Sequence, residues 1–326
     1  MSPPQPSSFH PARDIPDLSG KVILVTGGNA GIGASIVHAL AAHQPSCIYL
    51  CARTPRKAET VIANLQQQFP RAKIRALQLD LNSFESIRAC AKAFLDDDGN
   101  GNGRLDQLYL NAGISGTAPG LTEEGYENTF GVNHMGHALL CQLLMPKLLQ
   151  TQKLPDADVR IVVTSSRGGH SFIPKTGLVP DLDTMKTLEA SGMNSITRYG
   201  HSKLANILFA RKLAQVYPGI TTTSFHPGTV KSEIWEKAEG MKWIMWALAP
   251  VVWLTGVDCD KGAEPGLWLG TAEKSLIENG RYYAQGTFGK PKDDSKYAVD
   301  QKLTDDLWQW TNKELEAHGA PGWPEV

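Results

Sequence analysis

Short apolar runs recur along the first two thirds of the chain, and most are followed by a segment with helical periodicity. Runs of this length, rich in Val, Ile and Leu, are typical of strands that are buried on both faces of a parallel sheet. The predicted strands cover residues 22–25, 47–51, 74–79, 105–110, 160–164 and 220–225.

The segments between these runs carry apolar residues at helical spacing. Helices are predicted over residues 54–69, 82–95, 123–149 and 199–217, and Asn82 with Glu85 predicts a capping box for the second. Strands that alternate with helices in this way predict an α/β fold with a doubly wound parallel sheet, the Rossmann architecture. We expect residues 19–326 to form one domain, preceded by a disordered or draped arm over residues 1–18.

Composition indicates a soluble globular protein. Hydrophobic residues make up 41% and charged residues 20% of 326 residues, and the formal net charge is −1. No basic stripe points to a nucleic-acid partner. The five cysteines are scattered, and the arm has no apolar core that would suit a signal peptide. We therefore expect free thiols and a cytoplasmic location.

The acidic turn over residues 96–106 matches the first half of a calcium-binding loop. Asp96, Asp98, Asn100 and Gly101 fit, but Gln107 stands where a bidentate glutamate is needed. The segment is therefore predicted to be a solvated turn. No set of residues has the spacing of zinc ligands, and no metal is expected.

The longest apolar run covers residues 243–257 and contains Pro250. It is too short to span a bilayer, which needs about 20 apolar residues. Three interpretations stay open: buried core, a substrate lid within about residues 229–260, and a patch on a membrane surface. The membrane patch is the weakest of the three.

The first predicted strand runs directly into a glycine-rich turn, TGGNAGIG, and then into a helix. Glycines at Gly27, Gly31 and Gly33 would let a pyrophosphate approach backbone N–H groups at the positive end of that helix. The motif therefore predicts dinucleotide binding, and an ordinary tight turn between a strand and a helix is the alternative.

Tyr199 and Lys203 are four positions apart at the start of a predicted helix, so their side chains share one face. A phenol titrates near pH 10, which is too high for acid–base catalysis at neutral pH. A positive charge about 4 Å away would lower that pKa by roughly three units at an effective dielectric near 20. The alternative is a surface tyrosine with a neighbouring lysine.

Read in order, these motifs resemble the short-chain dehydrogenase/reductase family. The glycine turn, the NAG sequence that begins at Asn111, a serine pair after the fifth strand and the Tyr-x-x-x-Lys pair all match it. The resemblance implies a catalytic tetrad on Asn133, Ser166, Tyr199 and Lys203.

The resemblance also implies a role for each member of the tetrad. Tyr199 would give or take the substrate proton, and Ser166 would hold the carbonyl oxygen. Lys203 would bind the nicotinamide ribose and lower the tyrosine pKa, and Asn133 would hold a water in a proton relay. The remaining cofactor contacts would come from Asn29, Ile32, Asp80, Leu81, Asn111, Val230 and Ser232.

Two motifs, VNHMGH and YGHSKLAN, are similar to the retinol-dehydrogenase-like branch, and the Trp-rich tail resembles fungal reductases of secondary metabolism. Family members dimerise through the helices that would carry Asn133 and Tyr199, so the resemblance allows a homodimer. The long insertion over residues 167–198 would form a substrate wall.

The cofactor preference follows from the residues after the second strand. A carboxylate about 20 residues past the glycines selects NAD by binding the ribose hydroxyls. That position here is Arg53, no acidic residue lies between Gly33 and Glu59, and Arg56 and Lys57 follow. A guanidinium suits a ribose 2′-phosphate, so we expect NADP(H). The alternative is three basic residues on a solvated helix start.

The sequence therefore predicts an NADP(H)-dependent oxidoreductase that interconverts an alcohol and a ketone or aldehyde on a small lipophilic substrate. Two other functions stay open. One is a dehydrogenase that works on retinoid- or steroid-like lipids at a membrane surface. The other is a non-catalytic NADP-sensing protein on the same fold.

Overall fold

The six predicted strands lie in a parallel sheet that has seven strands in the described part of the chain. A computed structural model describes residues 8–97, 103–173, 177–230, 256–292 and 295–325. The strands are β1 Val22–Thr26, β2 Cys47–Ala52, β3 Ile74–Gln78, β4 Gln107–Leu110, β5 Arg160–Thr164, β6 Thr221–His226 and β7 Tyr282–Ala284. Their order across the sheet is β3-β2-β1-β4-β5-β6-β7, so the doubly wound α/β prediction is confirmed.

Helices cover the sheet on both faces. They are α1 Pro11–Asp14, α2 Gly31–Ala41, α3 Pro55–Gln68, α4 Phe84–Leu95, α5 Asn128–Phe130, α6 Gly136–Gln152, α7 Gly168–Ser171, α8 Leu188–Gly192, α9 Ser195–Val216, α10 Cys259–Thr271 and α11 Gln301–Ala317. A π-helical segment, Gly131–Met135, joins α5 to α6. Within the described ranges, no helix is long and apolar enough to cross a membrane.

Strand β1 shows why the apolar runs are continuous. Val22 and Leu24 belong to the core layer on one face of the sheet, and Ile23 and Val25 belong to the layer on the other face. Successive strand residues point to opposite faces, so a strand covered on both sides needs apolar residues throughout. The chain reverses its direction of winding between β1 and β4, and the crevice at that point is where such sheets bind ligands.

Two details of the predicted helices are wrong. The N-cap of α4 is Ser83, whose hydroxyl accepts from the Ser86 N–H, whereas the carbonyl of Asn82 accepts from the N–H of Glu123. The predicted helix over residues 123–149 begins five residues late, at Asn128. The preceding residues instead form a turn, in which the Thr122 N–H donates to the Tyr126 carbonyl and the Tyr126 N–H donates to the Thr122 hydroxyl.

Some of the predicted features lie partly or wholly outside the described residues. Ser232, residues 1–7 and most of the apolar run at 243–257 lie outside the described residues. Within the arm, Phe9, Ile15 and Leu18 are buried in the core layer that contains α2 and α10. All five cysteines are free thiols.

The described part of the acidic turn ends at β4. There the Gln107 side chain is buried and accepts a hydrogen bond from the Tyr109 hydroxyl at 3.1 Å. Residues 98–102, which hold most of the calcium-loop match, lie outside the described residues.

Candidate active site

The glycine turn at the end of β1 is shaped by two residues with positive φ and by one close backbone approach. Gly27 has φ 67° and Gly31 has φ 53°, a region that favours glycine. A Cβ on Gly33 would lie 2.2 Å from the carbonyl oxygen of Gly27, so only glycine fits there. A Cβ on Gly31 would meet no atom within 4 Å, which leaves open space beside the turn.

Asn111 ties the glycine turn to the neighbouring strands. Its amide nitrogen donates to the carbonyl of Thr26 at 3.1 Å, and its amide oxygen accepts from the Thr164 hydroxyl at 3.3 Å. These bonds join the carboxyl ends of β1, β4 and β5 at one edge of the sheet. Asn111 therefore supports the predicted cofactor site from within the protein.

Lys203 is buried beside this edge. Its ammonium group donates to the carbonyl of Thr164 at 3.0 Å and lies 5.6 Å from the centre of the Tyr199 ring. Burial lowers the pKa of Lys203 to about 8. The group therefore still carries its charge for most of the time at neutral pH.

Tyr199 is half-buried and has a perturbed pKa. Burial raises the pKa of Tyr199, and a hydrogen bond with Ser166 lowers it. The sequence predicts that the charge of Lys203 is the main influence on this pKa and lowers it. The structure differs, because loss of solvation around the phenol outweighs the other effects.

The two serines after β5 have different partners, which separates their roles. The hydroxyl of Ser165 is buried and donates to the carbonyl of Lys203 at 2.6 Å. The hydroxyl of Ser166 accepts from the Gly168 N–H at 3.1 Å and also bonds Tyr199. The structure therefore brings Ser166 and Tyr199 together, as the sequence predicted.

Asn133 is completely buried in the π-helical segment. Its amide oxygen accepts from the Ile114 N–H at 2.8 Å, and its amide nitrogen donates to the Ile114 carbonyl at 3.0 Å and to the Ser202 hydroxyl at 2.9 Å. The side chain thus fastens the loop after β4 to helix α9. A π-helical segment inside an α-helix is often found at a functional site.

A buried ion pair next to Tyr199 was not foreseen. Arg198 donates to Glu127 at 2.9 Å and to the carbonyl of Thr117 at 2.7 Å, and both charged side chains are almost fully buried. Glu127 also accepts from the N–H groups of Thr129 and Phe130. The position of Arg198, directly before the Tyr-x-x-x-Lys pair, was the only signal, because its partner is 71 residues away.

The predicted cofactor contacts lie around the same crevice. Arg53 is exposed directly after β2 and forms no hydrogen bond or ion pair with the described part of the chain. Asp80, after β3, accepts from the Asn82 N–H at 3.0 Å, and Leu81 is buried against Gly136.

The other predicted cofactor contacts lie in the glycine turn and after β6. Asn29 and Ile32 are half-buried within the glycine turn. Val230 is buried and pairs with Val257 in a short parallel bridge after β6. Ser232 cannot be located relative to them, because it lies outside the described residues.

A glycine turn at the switch point of a doubly wound sheet, with a tyrosine, a serine and a lysine at the same edge, defines a dinucleotide-binding oxidoreductase fold. A family model described as short chain dehydrogenase matches residues 21–177. The chain is 33% identical to short-chain dehydrogenase/reductase drtF from Aspergillus calidoustus, over 92% of this chain and 95% of that protein. The chain therefore belongs to the short-chain dehydrogenase/reductase family.

The comparisons also confirm the suspected branch. Human retinol dehydrogenase 11 is 34% identical over 82% of this chain and 78% of its own length. Among solved structures, NADPH-bound carbonyl reductase from chicken fatty liver has a TM-score of 0.60 and 22% identity, over 83% of this chain and 98% of that one. That likeness shows the shared fold.

Proposed function

We propose that the protein is an NADP(H)-dependent oxidoreductase that interconverts an alcohol and a ketone or aldehyde on a small lipophilic substrate. The observation that carries the proposal is the meeting of Tyr199, Ser166 and Lys203 at the edge of the sheet that also holds the glycine turn. Family membership supports the oxidoreductase class.

The residues of the turn fit a dinucleotide. Positive φ at Gly27 and Gly31, and the open space beside Gly31, let a pyrophosphate approach the N-terminus of α2. When bound, a nicotinamide cofactor supplies or accepts the hydride. Arg53 would hold the ribose 2′-phosphate, and Lys203 would contact the nicotinamide ribose.

The chain's own side chains then handle the proton and the substrate oxygen. Tyr199 donates its phenolic proton to the carbonyl oxygen during reduction and takes it back during oxidation. Ser166, which already bonds Tyr199, holds the same oxygen in place. Lys203 places a positive charge beside the phenol and so favours the phenolate that reduction leaves behind.

The chemistry is tested by Tyr199→Phe with purified protein, NADPH and a panel of lipophilic ketones and aldehydes. The variant should bind NADPH as the wild type does and lose turnover by about 10²–10⁴-fold, the usual contribution of acid–base catalysis. Near wild-type turnover in the variant would show that another group is the proton donor. NADPH binding by the wild type with no turnover on the panel would favour the non-catalytic sensor.

The cofactor preference is tested by Arg53→Ala, with Lys57→Ala as the control. Both positions are exposed and both substitutions remove one positive charge. Arg53→Ala should raise the Michaelis constant for NADPH and leave that for NADH within a small factor, whereas Lys57→Ala should change neither by much. Equal rises for both cofactors in Arg53→Ala, or a wild type that prefers NADH, would refute the assignment.

A second candidate is a dehydrogenase of retinoid-like alcohols at a membrane surface. The similarity to human retinol dehydrogenase 11 favours it. Turnover of retinaldehyde well above that of small aryl ketones, together with co-sedimentation with anionic vesicles, would support this candidate. A cytoplasmic location, a role in secondary metabolism and a homodimer all stay predictions from the sequence.

A further inference from the structure

His137 lies near the start of α6, behind the catalytic side chains, and only 2% of its surface is exposed. Its two ring nitrogens have different partners. Nδ1 lies 3.0 Å from the main-chain oxygen of Asn133, and Nε2 lies 3.0 Å from the hydroxyl oxygen of Thr26. One imidazole therefore touches both the residue before the glycine turn and a member of the predicted tetrad.

The chemistry of these partners fixes where the protons are. A carbonyl oxygen can only accept, so Nδ1 of His137 must carry the proton. Burial keeps the ring neutral, because it lowers the pKa of His137 to about 4. The Thr26 hydroxyl has two acceptors within reach, Nε2 of His137 at 3.0 Å and the Tyr109 carbonyl oxygen at 3.3 Å, and the unprotonated Nε2 is the nearer one. The hydroxyl oxygen in turn accepts from the N–H groups of Asn111 at 2.9 Å and Ala112 at 3.0 Å.

Each end of this chain of hydrogen bonds supports a different part of the site. Thr26 is the last residue of β1 and precedes Gly27, where the turn begins. Asn133 lies in the π-helical segment Gly131–Met135, where the regular helical hydrogen-bond register is interrupted. The imidazole therefore holds the Asn133 peptide group from outside the helix backbone.

We propose that His137 is a positioning residue that couples the floor of the dinucleotide turn to the hydrogen-bond network around Asn133 and Tyr199. The inference rests on the proposed function, since it assigns His137 a part in the same reaction. His137 touches neither substrate nor reacting atoms, and it acts through Thr26 on one side and through the Asn133 carbonyl on the other.

Two amide variants separate the two ends. In His137→Asn, the amide nitrogen takes about the place of Nδ1 and can still donate to the Asn133 carbonyl. In His137→Gln, the longer side chain places its amide near Nε2, where it keeps a partner for Thr26 but leaves the Asn133 carbonyl without the imidazole.

The two variants should therefore show opposite patterns. His137→Gln should lower kcat by about tenfold, the effect of losing one buried hydrogen bond, and change the NADPH dissociation constant less. His137→Asn should raise the NADPH dissociation constant by a few-fold, roughly, and lower kcat less than His137→Gln does. Fluorescence titration with NADPH gives the binding constant without turnover. If kcat and the NADPH dissociation constant change in the same way in both variants, the proposal is overturned, and His137 then has only a packing role.

The protonation state offers a direct spectroscopic test. In ¹⁵N-histidine-labelled protein, the resonances that disappear in His137→Asn should show a protonated Nδ1 and an unprotonated Nε2 at neutral pH. A proton on Nε2 would overturn the proposal, because the bond to the Asn133 carbonyl could not then form.

The inference can still be tested if the amide variants do not fold or if the proposed function is wrong. If neither amide variant folds, Thr26→Val removes the hydroxyl that His137, Asn111 and Ala112 share and should raise the NADPH dissociation constant, and an unchanged constant would overturn the proposal. If the wild type binds NADPH but reduces no carbonyl, the proposed function fails by itself. The NADPH affinities of the two amide variants and the labelled spectra then decide the role of His137.

Discussion

Three buried, neutral histidines make the folded state sensitive to acid. Burial lowers the pKa of His134 to about 3 and those of His137 and His201 to about 4, against an ordinary value of 6.5. All three are at most 2% exposed. Since the folded pKa lies below the unfolded one, the unfolded chain binds more protons in this window. Stability should therefore be lost as the pH falls from 6.5 towards 4.

The magnitude follows from linkage. A histidine whose pKa is 6.5 in the unfolded state and about 4 in the folded state lowers the stability by about 2 kcal/mol between pH 7 and pH 5, and three such groups lower it by roughly 6 kcal/mol together. A domain is typically stable by about 5–15 kcal/mol, so this loss is a large share of the total. Urea unfolding at pH 7, 6 and 5 measures it.

His201→Leu isolates one of the three contributions. Neither ring nitrogen of His201 has a hydrogen-bond partner in the described part of the chain, so the substitution breaks no bond. Between pH 7 and pH 5, the variant should therefore lose about 2 kcal/mol less stability than the wild type. His38→Gln, at an exposed position on α2, should follow the wild type. Parallel pH profiles for the wild type and His201→Leu would refute the reasoning.

Three further predictions follow from single contacts. Glu127→Gln should cost about 3–5 kcal/mol of unfolding free energy in urea, because it leaves the buried Arg198 guanidinium without its charge partner. Gly33→Ala should abolish NADPH binding in a fluorescence titration, since its Cβ would lie 2.2 Å from the Gly27 carbonyl oxygen. Millimolar calcium should leave the Tm unchanged in a thermal melt, because Gln107 cannot supply a bidentate carboxylate.

The predictions for Glu127, Gly33 and calcium can each be checked against a control or a result that would contradict them. Asp306→Asn breaks an exposed ion pair with Lys302 and should lower the stability much less than Glu127→Gln does. An equal loss of stability for both substitutions would contradict the buried-pair argument. A Cβ on Gly192 would meet no atom within 4 Å, so Gly192→Ala should bind NADPH normally. A Tm that rises with calcium but not with magnesium would revive the calcium loop.

The parallel sheet could be predicted because burial on both faces leaves a strong local signal. Strand β1 was expected over residues 22–25 and is Val22–Thr26, and the prediction for β5 has the observed bounds. Strand β7, Tyr282–Ala284, was missed, since three residues give no readable alternation. The C-terminal helix α11 also escaped prediction, although its charged and apolar residues alternate at helical spacing.

The sequence could not predict which residues contact each other when they lie far apart in the chain. The partner of Arg198 is 71 residues away, and that of His137 is 111 residues away in Thr26. Periodicity reports which face of an element is buried, but not which side chain on another element meets it. Motif order predicted the tetrad residues, whereas the groups that contact them lie at positions with no recognisable motif.

The sequence motif alone does not say which of two adjacent serines faces the tyrosine, but the hydrogen bonds in the structure do. Ser165 and Ser166 follow directly after β5, and their hydroxyls have different partners. The side of Ser165 is taken by the Lys203 carbonyl, so its hydroxyl is committed to holding helix α9 against β5. Ser166 is left to face Tyr199. One serine therefore holds the lysine backbone against the sheet, and its neighbour is left free for the proposed role beside Tyr199.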